Sequence, residues 1–268
     1  MQKTILITGS TDGLGLETAK MLASNGYHVL LHGRNPAKLE EAKNTVSALA
    51  SETVETYLAD LSIMADVETL AEAISVNHKS LDVLINNAGI FKTPEPITQD
   101  GMDVRFAVNT FAPYLLTQRL LPLMDINGRV INLSSAAQSP VKAEAMSGKT
   151  KLADDFDAYA QSKLAITMWS LSMALSLKNL GPAIIAINPG SLLATKMVKE
   201  GFGMAGNDIR IGADILIQAA LSEEFANASG QYFDNDSGQF TSPHADALDL
   251  QKCENIVQAI EAVLAEKA

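Results

Sequence analysis

The feature that most constrains this chain is an alternation. Short apolar runs that read as strands take turns with stretches whose apolar residues recur at helical spacing. The strand-like runs fall at residues 5–8, 28–31, 54–58, 81–86, 129–133, 183–188 and 231–234. Helix-like stretches fall at 14–25, from 35 toward 50, after Ser62, and at 101–124, 156–179, 208–221 and 246–267. Residues 81–86 are apolar almost throughout, which suits a strand covered on both faces. Gly26 stands where a helix C-cap glycine stands, Asn35-Pro36 pairs an N-cap with a proline at the first helical position, and Ser62 is placed to cap the helix after it. The alternation predicts an α/β chain over residues 1–268: a doubly wound parallel sheet of about seven strands, helices on both faces, in a single domain.

Parallel strands place their carboxyl ends on one sheet edge, where open α/β sheets bind ligands. Here those ends carry the polar and glycine-rich sequence. The first strand is followed by Thr8-Gly9-Ser10-Thr11-Asp12-Gly13-Leu14-Gly15, the third by Asp60-Leu61, and the fourth by Asn87-Ala88-Gly89. Ser134-Ser135 ends the fifth and Pro189-Gly190 the sixth. In the first turn Gly9 permits a tight bend, Gly13 lets backbone approach a pyrophosphate, and Gly15 lets the helix pack closely on the sheet. The helix N-terminus then faces the anion. A plain strand-to-helix turn would use the same glycines. Two stretches break the alternation, residues 136–155 and 191–207, and long loops of this kind commonly cover a binding site.

Tyr159 and Lys163 are four apart on a predicted helix, so both project from one face. Of the five tyrosines, only Tyr159 has a lysine at that spacing. A free phenol, with a pKa of about 10, is a poor base at neutral pH. A nearby ammonium is expected to lower it. Pro113 lies four residues after Asn109 and has no N–H, so it cannot bond the Asn109 carbonyl, and the helix is expected to kink there.

TGxxxGxG, the Asn-Asn-Ala-Gly strand end, an asparagine in the long fourth helix, a strand-end serine, YxxxK and Pro-Gly occur here in the order and at the spacings of the short-chain dehydrogenase/reductase family. The chain resembles its compact single-domain branch, from Thr8 to about Thr195. The long serine-to-tyrosine insert and the late Gly230-Gln231-Tyr232-Phe233 resemble the retinol-dehydrogenase-like subgroup. The resemblance implies a Rossmann-type fold and hydride transfer between a nicotinamide cofactor and a carbonyl or alcohol. It makes Tyr159 the acid/base and Ser135, rather than Ser134, the donor to the substrate oxygen. Lys163 would hold the nicotinamide ribose, and the Asn109 carbonyl would hold a water of the proton relay. Cofactor contacts are expected from Gly9, Thr11, Gly13, Leu14, Gly15, Arg34, Asp60, Leu61, Asn87, Ala88, Gly89, Tyr159, Lys163, Pro189, Gly190 and Thr195.

The cofactor is expected to be NADP(H) rather than NAD(H). The second strand ends His32-Gly33-Arg34-Asn35, with no carboxylate for ribose hydroxyls and an arginine able to bond a phosphate bidentately. Asp12 pulls the other way, because many NADP-dependent members carry a basic residue there. The net charge of −11 argues against nucleic acid and anionic membrane as partners. One cysteine, Cys253, permits no internal disulfide and fits a cytoplasmic setting. No leader and no membrane-spanning run is apparent.

The histidines His28, His32, His78 and His244 are scattered, so no metal is expected. Met146, Met197 and Met204 fall in the two loops and are candidates for an apolar pocket lining. The wide apolar girth of residues 101–124 and 156–179 points to a homodimer or homotetramer. The competing reading is a catalytically silent NADP-binding regulator on the same fold.

Overall fold

The computed structural model describes residues 3–178 and 180–267. Eight strands form one sheet: β1 (Thr4–Ile7), β2 (His28–Gly33), β3 (Val54–Leu58), β4 (Val83–Asn86), β5 (Arg129–Leu133), β6 (Ala183–Asn188), β7 (Tyr232–Asp234) and β8 (Gln239–Thr241). Their order is β3-β2-β1-β4-β5-β6-β7-β8. The first seven run parallel, and β8 returns antiparallel to β7. The chain order therefore reverses between β1 and β4, the switch point at which doubly wound sheets open a crevice.

The helices are α1 (Gly13–Ser24), α2 (Pro36–Ser47), α3 (Met64–Asn77), α4 (Val104–Phe106), α5 (Ala112–Leu120), α6 (Ala143–Met146), α7 (Asp155–Leu177), α8 (Lys196–Phe202), α9 (Ile209–Leu221) and α10 (Leu250–Lys267). Strand residues alternate between two cores. Leu6 of β1 joins a layer with Val67, Leu116, Trp169 and Ile260, from α3, α5, α7 and α10. Ile5 and Ile7 join the other, with Leu22, Leu39 and Leu216 from α1, α2 and α9.

Several local expectations change. The sheet gains β8, whose Phe240 stacks on Phe225 and Phe233 at 5.0 and 5.1 Å between ring centroids. The helix expected over 101–124 begins at Val104, and its turn Ala107–Phe111 widens to π-helical bonding, with Ala112 N–H donating to Ala107 O. That turn lies directly before Pro113, whose missing N–H disturbs the ladder, so a π segment stands where a simple kink is expected. Ser62 does not cap α3. Its hydroxyl donates to Asp60 Oδ1 at 2.7 Å, and Ile63 takes the cap position. The last helix is preceded by a separate 3-10 turn, Ala245–Leu248. Asn179, the expected end of the long helix, lies outside the described residues.

The two long loops carry α6 and α8, so neither is structureless. Met146 in the first is fully buried in the core rather than in a pocket lining. The apolar girth is largely covered within the chain. Phe106, Phe111, Leu116, Leu120, Ile166, Met168 and Trp169 are each exposed by 2% or less. Leu175, of the same girth, is half exposed. Among the described residues, no helix is long and apolar enough to cross a membrane.

Candidate active site

A cleft of about 660 Å³ runs along the carboxyl ends of the parallel strands, across the switch point. Of the residues the sequence singles out, Gly9, Thr11, Gly13, Leu14, Gly15, Arg34, Asp60, Leu61, Asn87, Ala88, Gly89, Ser135, Tyr159, Lys163, Pro189, Gly190 and Thr195 line it. Asn109 does not. Its side chain stands behind the wall, with Oδ1 accepting from Ile90 N–H at 2.8 Å and Nδ2 donating to Ile90 O at 3.0 Å and Ser162 Oγ at 2.9 Å. It thereby fixes the loop segment at Ile90, next to Gly89, whose backbone lies between Asn109 and Lys163. A Cβ on Gly89 would sit 3.5 Å from Asn109 Oδ1 and 3.6 Å from Lys163 Nζ.

The glycine loop is shaped by close approach. Gly9 has φ +63°, and a Cβ there would come within 2.9 Å of Ala88 Cα. At Gly15 it would meet Gly9 O and Asn87 Nδ2, each at 2.4 Å. His32, which sequence reasoning passed over, ties this loop to the sheet. Its Nδ1 accepts from Gly9 N–H at 3.0 Å, which leaves the Nε2 proton to donate to Ala59 O at 3.1 Å. Burial holds His32 at about pKa 4, against the opposing pull of Ala59 O and Asp60.

The unfolded chain therefore binds a proton at His32 that the folded chain refuses, so the neutral ring's contribution is complete above pH 6.5 and is lost as pH falls toward 4. The shift is worth about 3 kcal/mol. We expect urea-unfolding stability to drop across that window, and His32→Gln to flatten the drop. An unchanged slope in the variant would contradict the assignment.

At the outer end of the cleft, Arg34 follows β2, with Nη1 4.0 Å from Asp60 Oδ2 and the side chain mostly exposed. Lys38, one turn into α2, joins it in the wall and was not anticipated from the sequence. Asp12 is accounted for. Its Oδ1 accepts from Gly13 N–H at 2.8 Å, and its Oδ2 lies 3.8 Å from Lys38 Nζ. A basic pair thus marks this end of a chain whose net charge is −11.

At the inner end the two adjacent serines separate. Ser134 is buried, its hydroxyl 2.6 Å from Thr167 Oγ1 and 3.1 Å from Lys163 O. Ser135 stands beside the Tyr159 phenol, where its hydroxyl acts on the phenol's pKa, and its Oγ accepts from Ala137 N–H at 3.1 Å. Burial raises the Tyr159 pKa, and the Ser135 hydroxyl pulls weakly the other way. This reverses the sequence expectation that Lys163 draws the phenol down. Lys163 Nζ lies 5.7 Å from the Tyr159 ring centroid and donates to Leu133 O at 2.6 Å, while burial lowers its own pKa to about 8.

Helix α7, which carries both residues, is capped by Asp154, whose carboxylate accepts from Phe156 and Asp157 N–H. The first turn of α7 is also pinned by the buried Arg105, which pairs with Asp103 and Asp155.

The walls beside Tyr159 are apolar. Phe91 stacks on Tyr159 at 5.2 Å and edge-on against Phe156 at 6.3 Å between centroids. Helix α8 closes over Phe91, and a Cβ on Gly201 would strike the ring at 2.7 Å. Met197 and Val198 line the cleft. Met204 is not in the lining and is half exposed. Thr195 faces Gly13 across the cleft, and its hydroxyl caps α8 by accepting from Val198 N–H at 3.3 Å.

These features can be set beside known proteins. The family model described as short chain dehydrogenase matches residues 3–205. Bovine (Bos taurus) retinol dehydrogenase 12 is 32% identical over 257 residues, covering 91% of this chain and 81% of its own. The crystal structure of a Mycobacterium paratuberculosis protein superposes with a TM-score of 0.81 at 27% identity, over 98% of this chain and 93% of that one. A Shigella flexneri short-chain dehydrogenase solved with NADP superposes at 0.68 with 26% identity, over 87% and 96%. On the strength of that match along three quarters of its length, and of a sheet and cleft that agree with it, the chain belongs to the short-chain dehydrogenase/reductase family and has relatives among the retinol dehydrogenases.

Proposed function

We propose that the protein is an NADP(H)-dependent oxidoreductase acting on an apolar carbonyl/alcohol pair, with Tyr159 as the general acid/base. The observation that carries this reading is the convergence of Ser135, Tyr159 and Lys163 at one end of a cleft whose other end is basic. A nicotinamide dinucleotide fits the residues present. Gly9 and Gly15 let the loop pack tightly on Ala88 and Asn87, which presents the N-terminus of α1 to the cleft where a pyrophosphate would lie, and Arg34 and Lys38 offer charge to a ribose phosphate. The Shigella flexneri relative solved with NADP supports the same choice. Lys163 would hold the nicotinamide ribose, and Asn87, Ala88, Gly89, Pro189, Gly190 and Thr195 would flank the nicotinamide end.

When bound, the cofactor supplies or accepts the hydride. The chain's own residues manage the oxygen and its proton. Ser135 donates to the substrate oxygen as negative charge grows there. Tyr159 delivers its phenolic proton to that oxygen during reduction, or takes it during oxidation. The phenol, raised by burial above its ordinary value, carries its proton at neutral pH and can hand it to a carbonyl oxygen or, once emptied, take one from an alcohol. Asn109, behind Gly89, holds the backbone against which Lys163 stands, and its carbonyl is the proposed seat of the relay water.

The substrate's other atoms would lie against Phe91, Phe156, Met197 and Val198, which favours an apolar or aromatic body over a charged one. A chain with a single, buried cysteine fits the cytoplasm. The test is consumption of NADPH with a panel of apolar aldehydes and ketones. Turnover of at least one of them is expected. NADPH binding without turnover of any would support a silent regulator instead.

A further inference from the structure

The four histidines are scattered in sequence, yet the fold gathers two of them around one carboxylate at the opposite end of the strands from the cleft. His28 opens β2, Glu55 lies in β3, and His78 follows α3. His28 Nε2 is 2.9 Å from Glu55 Oε1, and His78 Nε2 is 3.4 Å from Glu55 Oε2. The three ligand atoms all lie within 4.8 Å of one another. A tetrahedral cation with bonds of about 2.1 Å holds its ligand atoms about 3.4 Å apart, so small side-chain adjustments would bring these three into one coordination shell.

A second observation concerns His28. Its Nε2 is buried and has no aligned hydrogen-bond partner, despite the carboxylate oxygen beside it. The other ring nitrogen, Nδ1, is 3.5 Å from Thr4 Oγ1. In the tautomer that donates from Nδ1 to Thr4, the Nε2 lone pair is turned toward Glu55 and is free to bind a cation between them; in the other, Nε2–H pairs with the carboxylate. The outward hydrogen bond of a ring nitrogen to an oxygen is also how metal-bound histidines are oriented.

Tyr57 adds an oxygen to the cluster, its hydroxyl 2.8 Å from His78 Nε2 and donating to Glu55 Oε2 at 3.2 Å. A cation at the centre would take the His78 lone pair and leave the phenol proton to Glu55. The side chains are partly exposed, at 22%, 34% and 10% for His28, Glu55 and His78, so an ion can enter and water can fill a fourth position.

We propose that His28, Glu55 and His78 form a binding site for a divalent transition-metal ion of the zinc type. Two imidazoles and one carboxylate suit such an ion, and they do not suit magnesium or calcium, which take oxygen shells. The ion would tie β2, β3 and the end of α3 together, remote from Tyr159.

The test uses the full-length chain free of any affinity tag and stripped with a chelator. Titration with Co²⁺ should give visible d–d bands that saturate at one equivalent and are displaced by Zn²⁺. Zn²⁺, and not Mg²⁺, should raise the thermal unfolding midpoint. His28→Gln and His78→Gln should each weaken Zn²⁺ binding by more than about 100-fold, beyond the loss of an outer-shell partner. His244→Gln should leave it unchanged. Glu55→Gln supplies a third variant should either histidine change prevent folding. No saturable Co²⁺ spectrum from the wild-type chain, or binding that survives the ligand substitutions intact, overturns the proposal.

Discussion

Tyr159→Phe is expected to lower turnover by roughly 10²–10⁴-fold while leaving NADPH affinity within a few-fold of wild type. The substitution removes one oxygen and keeps the ring that packs on Phe91. Cofactor contacts assigned to the glycine loop, Arg34 and Lys163 do not depend on that oxygen. Steady-state rates together with NADPH titration separate the two effects. Turnover within threefold of wild type would remove Tyr159 from the acid/base role. Loss of NADPH binding along with activity would mean that the phenol holds the cofactor or the fold of α7, and that its proton is not the point. Ser135 stands beside the phenol and would donate to the substrate oxygen, so Ser135→Ala should also cut turnover, by less than the loss of the acid itself.

Arg34→Asp should invert the cofactor preference. In NADPH the variant replaces an attraction by a repulsion at the ribose phosphate. In NADH it offers a carboxylate to free ribose hydroxyls. A charged hydrogen bond is worth about 1.5–3 kcal/mol, so NADPH affinity should fall at least tenfold while NADH affinity holds or improves. Lys38 remains in the variant, and it sets how far the loss can go. Its ammonium stands in the same wall and is free to turn from Asp12, a pair that is half exposed and weak. Lys38→Ala alone should therefore weaken NADPH by less than Arg34→Asp, and the double variant should lose the most. Equal losses for both cofactors would show that Arg34 is a solvated loop cation.

Much of this architecture is legible because each strand end carries its chemistry in a short local segment. The turn after β1, the Asn-Asn-Ala-Gly end of β4 and the Tyr159–Lys163 spacing can all be read without knowing what lies across the cleft. What escaped depends on distant residues or on very short elements. His32 looks like one more strand residue until Gly9 and Ala59 are placed on either side of it. Lys38 reads as helix-surface charge until α2 turns it beside Arg34.

β8 has three residues and no periodicity, although the turn Asp236-Ser237-Gly238, with φ +68° at the glycine, is a hairpin signal that could have found it. The direction of the phenol's pKa shift differs from the sequence expectation because the charge of Lys163 is visible in sequence and the desolvation of Tyr159 is not. Burial wins here, since Lys163 sends its own ammonium to Leu133 O. The apolar girth of α5 and α7 is a weaker guide to assembly than it looks in sequence for a similar reason: α10, far along the chain, covers part of it.

The account stands on hydride passing between NADPH and a carbonyl carbon while the oxygen receives its proton from Tyr159. The most direct measurement follows the label. Wild-type protein is mixed with NADPH carrying deuterium at its transferable position and with an apolar ketone that it turns over, and the product is read by mass spectrometry and NMR. The account predicts an alcohol with one deuterium on the carbinol carbon, of a single configuration, formed in step with NADP⁺ and abolished in Tyr159→Phe. An alcohol without deuterium, or label distributed equally over both configurations, would contradict it.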